Sequence, residues 1–336
     1  MDAHSVQTQS TATLVEALRA RRTEQRRDAA AVLIAGRELE RRHKLAGGSD
    51  DLWDAVEQVA VAAVEAGDVA FARTLAARLT SHFRESTPHR VHYLQGLVLE
   101  AENDLAGARA RYEANIREDE TDVPSRKRLV ALHLSSPLVA LPEPAPAGTS
   151  SKALPSVAAP LQPYLAASLC QEKGIQILVH YLDTYYADLA GWLALSTAYA
   201  DLGLYAQALA ALAHAVVLAP GDAWVALKHA ETAYTAGDVQ LAWKGFLRVV
   251  EMSTEEGDER PLKGAARRAA MGAKLCIPRL RALRPAKDGD PLLVATKVDE
   301  VEVVLTRLLV EAYQQTPGAV GAGVVSGWLG GEAAAR

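Results

Sequence analysis

The sequence predicts an all-α protein in which similar pairs of helices stack into a right-handed superhelical solenoid. Hydrophobic residues make up 49% of its 336 residues, enough for a sizeable core, whereas aromatic residues make up only 5%. The core must therefore consist mainly of Ala, Leu and Val, and Ala and Leu strongly favour helices. Small residues also recur at a period of about 34 residues, a spacing typical of helical repeats.

Residues 1–48 form the first predicted region, a helical extension that precedes the repeats. Within it, residues 12–44 are predicted to form one long, arginine-rich helix with apolar positions such as Leu14 and Leu39. Residues 46–50, Ala-Gly-Gly-Ser-Asp, supply a helix stop followed by N-cap candidates. The repeats are therefore expected to begin at about residue 49.

The clearest repeat runs from Leu189 to Asp222. Counted from Leu189, bulky residues occupy positions 4, 7, 11 and 24, small residues occupy positions 8, 20 and 27, and proline occupies position 32. In order along the chain, these residues are Trp192, Leu195, Ser196, Tyr199, Ala208, Leu212, Ala215 and Pro220. The pattern resembles the tetratricopeptide repeat. Small residues at positions 8 and 20 allow the two helices to cross closely, and the proline ends the second helix.

The same pattern recurs in phase elsewhere in the chain. Units beginning at Trp53, His89 and Ala223 also carry small residues at positions 8 and 20. In chain order these are Ala60 and Ala72, Gly96 and Ala108, and Ala230 and Ala242. Four units in one pattern predict a tetratricopeptide-repeat solenoid over residues 49–283.

One unit of the array is interrupted. A first helix starts near Val123, but the next clear unit starts at Leu189, almost two periods later. The extra chain, at about 136–167, is rich in Pro, Ala and Ser, so we predict a flexible insertion there.

Beyond the array, the repeat pattern fades. Residues 261–277 are predicted to form a helix that ends before Pro278. Residues 284–316 are predicted to contribute a capping helix. Residues 317–336 are rich in Gly and Ala and are predicted to be a disordered tail.

Composition excludes several functional classes. The net charge of −5 argues against nucleic-acid binding and against a polybasic membrane patch. No apolar run reaches the ~18 residues that a transmembrane helix needs. Two cysteines, Cys170 and Cys276, can form neither a disulfide framework nor a four-cysteine zinc site, and are expected to be buried free thiols. These features predict a soluble protein of a reducing compartment.

The sequence contains no convincing catalytic, cofactor or metal motif. Gly321, Gly323 and Gly327 resemble a dinucleotide-binding loop, but a helix rather than a strand precedes them and only nine residues follow Gly327. His89 and His92 lie near a helix start, with no carboxylate or cysteine at the spacing of a companion ligand. We therefore expect no enzyme activity, no cofactor and no metal.

The remaining candidate site is the concave surface that stacked repeats present to partners. Positions 2, 5, 9 and 12 of each first helix face this surface. The candidate partner-binding residues are Tyr93, Leu97, Leu193, Thr197, Trp224, Leu227, Glu231 and Tyr234. Trp224 and Tyr234 are either interface anchors or packing residues between neighbouring helices. Lys127 matches the lysine of a carboxylate clamp, but Ala131 replaces the companion asparagine, so a clamp is not expected.

Three segments carry a more specific resemblance. Residues 33–79 include the motif Asp-Asp-Leu-Trp from Asp50 to Trp53, within GGSDDLWDAVEQ. Residues 89–129 begin with HRVHYLQGLVLEAEN, and residues 177–212 begin with ILVHYLDTYYADLAGW. These three segments resemble subunit 2 of the endoplasmic reticulum membrane protein complex. The resemblance covers residues 24–250 in order, including the helix before the repeats. The insertion, residues 261–293 and the glycine-rich tail depart from the family pattern.

The resemblance implies a non-catalytic scaffold on the cytoplasmic face of the endoplasmic reticulum membrane, attached peripherally. There it would support the insertion of transmembrane helices, including those of tail-anchored proteins. Its implied partners are the cytosolic parts of membrane-spanning subunits and a soluble partner subunit. A free cytosolic tetratricopeptide adaptor or co-chaperone is the alternative, and a regulatory module of an enzyme is a third.

Overall fold

The computed structural model describes most of the chain. The described residues are 3–24, 26, 28–45, 50–83, 88–135, 162–252, 262–282, 295–314 and 327; for 3–5, 162–170 and 295–297 the description is of the backbone alone. Throughout these ranges the secondary structure is helical, without strands. The predicted all-α tetratricopeptide fold is confirmed.

The helices in these ranges are short and follow one another closely. They are α1 (Ala3–Thr8), α2 (Thr11–Thr23), α3 (Ala29–Arg41), α4 (Asp50–Glu65), α5 (Val69–His82), α6 (His89–Ala101), α7 (Leu105–Glu118), α8 (Val123–Ser135), α9 (Gln162–Thr184), α10 (Leu189–Asp201), α11 (Tyr205–Leu218), α12 (Ala223–Ala236), α13 (Val239–Met252), α14 (Gly264–Ala282) and α15 (Ala295–Gln314). No helix in the described ranges has both the length and the hydropathy that crossing a bilayer requires.

The chain divides into two compact units, Met1–Ile177 and Leu178–Arg336. In the first, α4 pairs with α5 and α6 pairs with α7, and both α2 and α3 pack on α4. In the second, α10 pairs with α11, α12 pairs with α13, and α14 packs against both α13 and α15. Each unit is therefore built from adjacent helix pairs, as the period predicts.

The N-terminal extension corrects one prediction. Instead of one helix over residues 12–44, the chain forms α2 and α3, which are separated around Asp28. The Asp28 carboxylate accepts a hydrogen bond from the Ala31 backbone N–H at 3.1 Å and so caps α3. The break allows Leu14 of α2 and Leu39 of α3, both fully buried, to enter the same core.

The turns within the repeats use the left-handed backbone region at position 15. Gly67, Gly203 and Gly237 have φ values of 80°, 74° and 91° there. The unit beginning at His89 lacks this glycine, and Asn103 takes its place with φ 63°. Asparagine tolerates this conformation better than other non-glycine residues, so the turn is preserved.

The crossings within the helix pairs are as tight as the small residues predict. Ala108, Ala208 and Ala242 have no exposed surface, and Gly96 is also buried. Hence the phase assigned from the sequence matches the packing.

At the C-terminal side, α14 extends beyond its predicted end. The helix continues through Pro278 to Ala282 rather than stopping at residue 277. Pro278 removes one backbone hydrogen bond, but Ile277 and Leu280 on either side of it are only 1% and 8% exposed. Burial of this apolar face offsets the lost bond.

Two predicted segments lie wholly or largely outside the described residues. The insertion at 136–167 is one, although its C-terminal end from Gln162 already belongs to α9. Pro163 is compatible with the first turn of that helix, where its missing N–H would have no partner. The tail at 317–336 is the other, apart from residue 327.

Candidate partner-binding grooves

The first unit contains a groove of about 820 Å³, here called groove 1. It lies between the end of α2 and start of α3 on one side and α4, α6 and α8 on the other. Two predicted site residues line it, Tyr93 and Leu97 of α6. Tyr93 is half-buried and its ring centroid lies 6.0 Å from that of Tyr112, whereas Leu97 is 9% exposed and forms part of the floor.

The charges that line groove 1 neutralise one another. Arg90 donates to Glu57 at 2.5 Å and to Asp54 at 3.1 Å. Arg128 of α8 pairs with Glu100 of α6, which raises the pKa of the arginine. The apolar part of the lining includes Val32, Val61 and Leu97. A groove with an apolar floor and paired charges suits a mixed polar and apolar peptide segment better than a strongly charged ligand.

In the second unit, polar side chains connect the first helices of successive repeats. The Lys228 ammonium of α12 donates to the Thr197 hydroxyl of α10 at 2.7 Å and to the Leu193 carbonyl at 3.4 Å. Glu231 of α12 accepts two hydrogen bonds from Arg268 of α14, at 2.5 and 2.9 Å. We call these five residues the polar strip of the second unit.

Burial lowers the pKa of Lys228, against the opposing charge of Asp201. Lys228 thus contacts the predicted residues Leu193 and Thr197, and Arg268 contacts the predicted residue Glu231. Lys228 and Arg268 themselves were not predicted. Lys228 is at position 6, one residue beyond a groove position, and its long side chain reaches the strip from there. Only the observed helix orientation reveals this contact.

The other predicted residues of α12 have different surroundings. Trp224 is 58% exposed and is available to a partner. Tyr234 is half-buried, with the Arg279 guanidinium 4.4 Å from its ring centroid, so it packs within the chain. Leu227 is only 2% exposed and lies in the core cluster of this unit. The prediction that Leu227 faces a groove is therefore corrected: its side chain fills the space between α12 and its neighbours.

The structure also brings together residues that the sequence left apart. Glu118, at the end of α7, lies beside His89 and His92 at the start of α6. The two histidines thus do have a nearby carboxylate, contrary to the expectation from their spacing in the chain.

Paired helices with small crossing residues, left-handed turns at position 15 and accessible first-helix faces define a tetratricopeptide-repeat protein. A solved structure of the same class, the C-terminal part of a tetratricopeptide repeat-containing protein from Cytophaga hutchinsonii, superimposes with a TM-score of 0.56. The match covers 93% of this chain and 99% of that one at 13% identity, so it shows the fold alone. No protein-family model matches the chain.

Sequence similarity to curated relatives indicates a more specific relationship than the fold does. The chain is 26% identical over 235 residues to ER membrane protein complex subunit 2-A of Xenopus laevis, which covers 69% of this chain and 67% of the relative. It is 27% identical over 222 residues to the TPR repeat protein oca3 of Schizosaccharomyces pombe, covering 63% of this chain and 65% of the relative. The resemblance to subunit 2 of the endoplasmic reticulum membrane protein complex is confirmed. The match spans about two thirds of these relatives' length.

Proposed function

We propose that this protein is a non-catalytic scaffold subunit of an endoplasmic reticulum membrane protein complex. It would be attached peripherally to the cytoplasmic face of the membrane and would support the insertion of transmembrane helices, including those of tail-anchored proteins. The observation that carries the proposal is the identity of 26% over 235 residues with Xenopus laevis subunit 2-A.

The geometry supports a scaffold in two ways. Groove 1 combines apolar side chains with charged side chains that pair with one another, as surfaces that accommodate a polypeptide do. The exposed Trp224 offers a large aromatic surface of the kind that anchors protein interfaces. We assign these surfaces to the cytosolic parts of membrane-spanning subunits and to a soluble partner subunit.

Purification from membranes tests the proposal. The tagged full-length chain is expected to copurify from detergent-solubilised endoplasmic reticulum membranes with a stoichiometric set of membrane-spanning subunits. Recovery of the chain with a cytosolic chaperone alone would instead support the alternative function, a free adaptor or co-chaperone.

A second measurement tests how the chain is held at the membrane. The arginines of the N-terminal extension have acidic neighbours: Arg37 pairs with Asp68, and Arg41 and Arg42 both pair with Glu38. Ion pairs of this kind reduce the positive charge that the extension offers to anionic lipids. The purified chain is therefore expected not to bind anionic liposomes at physiological salt. Tight binding would assign the membrane contact to this subunit itself.

A further inference from the structure

We propose that His89, His92 and Glu118 bind a divalent transition-metal ion, Zn²⁺ by preference, at the open end of the α6–α7 helix pair. This inference does not depend on the proposed scaffold function. It concerns the first unit of the chain.

The geometry brings three ligand atoms to one point. One atom from each residue lies within 4.8 Å of the other two, and His92 Nδ1 is 3.7 Å from a Glu118 carboxylate oxygen. Zinc–ligand distances of roughly 2.0–2.2 Å place the ligand atoms of a tetrahedral site about 3.4 Å apart. His89 and Glu118 are exposed, so small side-chain rotations can bring them to this separation.

A second observation concerns His92 itself. Its Nδ1 atom is buried but makes no hydrogen bond within the part of the chain that the structure describes. Buried polar atoms without a partner are rare in proteins, and a bound water or ion is one common reason for them. A metal ion coordinated by His92 and Glu118 would satisfy this atom.

The chemistry of the three ligands suits zinc. Imidazole nitrogen and carboxylate oxygen are both zinc ligands, and two histidines with one glutamate leave a fourth position open to water or to a ligand from another molecule.

Some charges around the three ligands oppose the binding of a cation, and others favour it. Arg111 and the N-terminus of α6 disfavour it, whereas Glu118, the neighbouring Asp119 and the C-terminal carbonyl end of α7 favour it. Of the arginines next to the ligands in the chain, Arg90 pairs with Glu57 and Asp54, and the Arg117 guanidinium donates to the Glu113 carbonyl.

A metal at this point would join the two ends of one helix pair. His89 is the first residue of α6 and Glu118 is the last residue of α7, and the turn at Asn103 closes the opposite end of the pair. The ion would thus hold the pair together at both ends. Because metal binds the folded site and not the separated ligands, it would raise the thermal stability of the protein.

Titration with Co²⁺ tests the site directly. The full-length chain, first stripped of metal with a chelator, is expected to develop the visible absorption of four-coordinate Co²⁺ with a stoichiometry of 1:1. Added Zn²⁺ should abolish this absorption and raise Tm. Absence of both responses would overturn the proposal.

Variants connect the response to the three ligands. The substitutions His89→Ala and Glu118→Gln affect exposed side chains and are expected to leave the fold intact while removing Co²⁺ binding. His180→Ala replaces another exposed histidine, outside the cluster, and should bind Co²⁺ like the parent chain. Retention of binding by Glu118→Gln and His89→Ala would overturn the assignment, as would its loss in His180→Ala.

Discussion

The Tyr112 ring of α7 lies directly over Gly96 of α6, where a β-carbon on the glycine would overlap the ring. Tyr112 is fully buried, so its ring cannot turn out into solvent without leaving the core. The closest crossing of this helix pair thus depends on the absence of a single side-chain carbon.

Replacement of Gly96 tests this crossing. Alanine in place of glycine gains ~1 kcal/mol of helix propensity, but the overlap with Tyr112 should dominate. We expect Gly96→Ala to lower the free energy of unfolding by about 1–3 kcal/mol, the usual cost of overpacking a core. Thermal or urea unfolding measures the change.

The control for this substitution is Gly221→Ala. A β-carbon at Gly221 would have no neighbour within 4 Å, and its backbone is not in the left-handed region. This variant should unfold like the parent chain. Equal stability of Gly96→Ala and the parent would show that the crossing can relax at no cost.

The Glu38 carboxylate is expected to make the folding stability of the protein depend on pH in the acidic range. Hydrogen bonds from Arg41 and Arg42 hold the pKa of its carboxyl at about 2, and Arg42 also donates to the Gln9 carbonyl at 2.7 Å. Because the folded-state pKa lies below the unfolded value, the carboxylate stabilises the protein at neutral pH. This contribution is lost as the pH falls from about 4.5 towards 2.

Comparison with Glu38→Gln measures this dependence. The variant should be less stable than the parent at pH 7, and the difference should shrink as the pH falls through this window. Glu16→Gln is a suitable control, because no ion pair to Glu16 is present among the described residues. A difference between Glu38→Gln and the parent that stays constant down to pH 2 would contradict the assigned interaction.

The insertion is predicted to be dispensable for folding. The period of the repeats resumes when about one repeat length is removed, and the sequence places the removable part at 138–162. Because Gln162 begins α9, the deletion is best ended at residue 161. Loop-closure entropy changes by only ~0.6 kcal/mol per doubling of length, so a short Gly-Ser bridge should be tolerated.

Circular dichroism and thermal unfolding of the deletion variant test this prediction. Its helical signal and Tm should remain close to those of the full chain. Loss of cooperative unfolding would mean that the deleted residues pack on the repeats and that the assigned phase across them is wrong.

Partner binding is expected to depend on Trp224. Its side chain is 58% exposed, so Trp224→Ala should leave Tm unchanged while reducing copurification of membrane subunits several-fold. Tyr186→Ala is the matched control, since Tyr186 is a 71% exposed aromatic residue in the turn between α9 and α10. Equal recovery with both variants would remove Trp224 from the interface.

The repeat phase could be predicted because it is a property of each helix pair. Small residues at positions 8 and 20 allow the two helices of one repeat to cross closely, so Ala208 and Ala242 could be assigned to crossings without any tertiary information. The turn at Asn103 was less apparent, because asparagine replaces the glycine that marks position 15 in other units.

The sequence by itself determined the helical class, the period and the buried face of each helix pair, because these follow from residue size and spacing within about 34 residues. Tertiary structure decided which side chains meet between helices. The burial of Leu227, the reach of Lys228 to Thr197 and the approach of Glu118 to His92 all depend on how far each helix is rotated towards its neighbour. If a helix turns about its axis by the angle of one residue, different side chains face the neighbouring helix. The repeat pattern tolerates many residue types at most positions, so it does not specify this rotation.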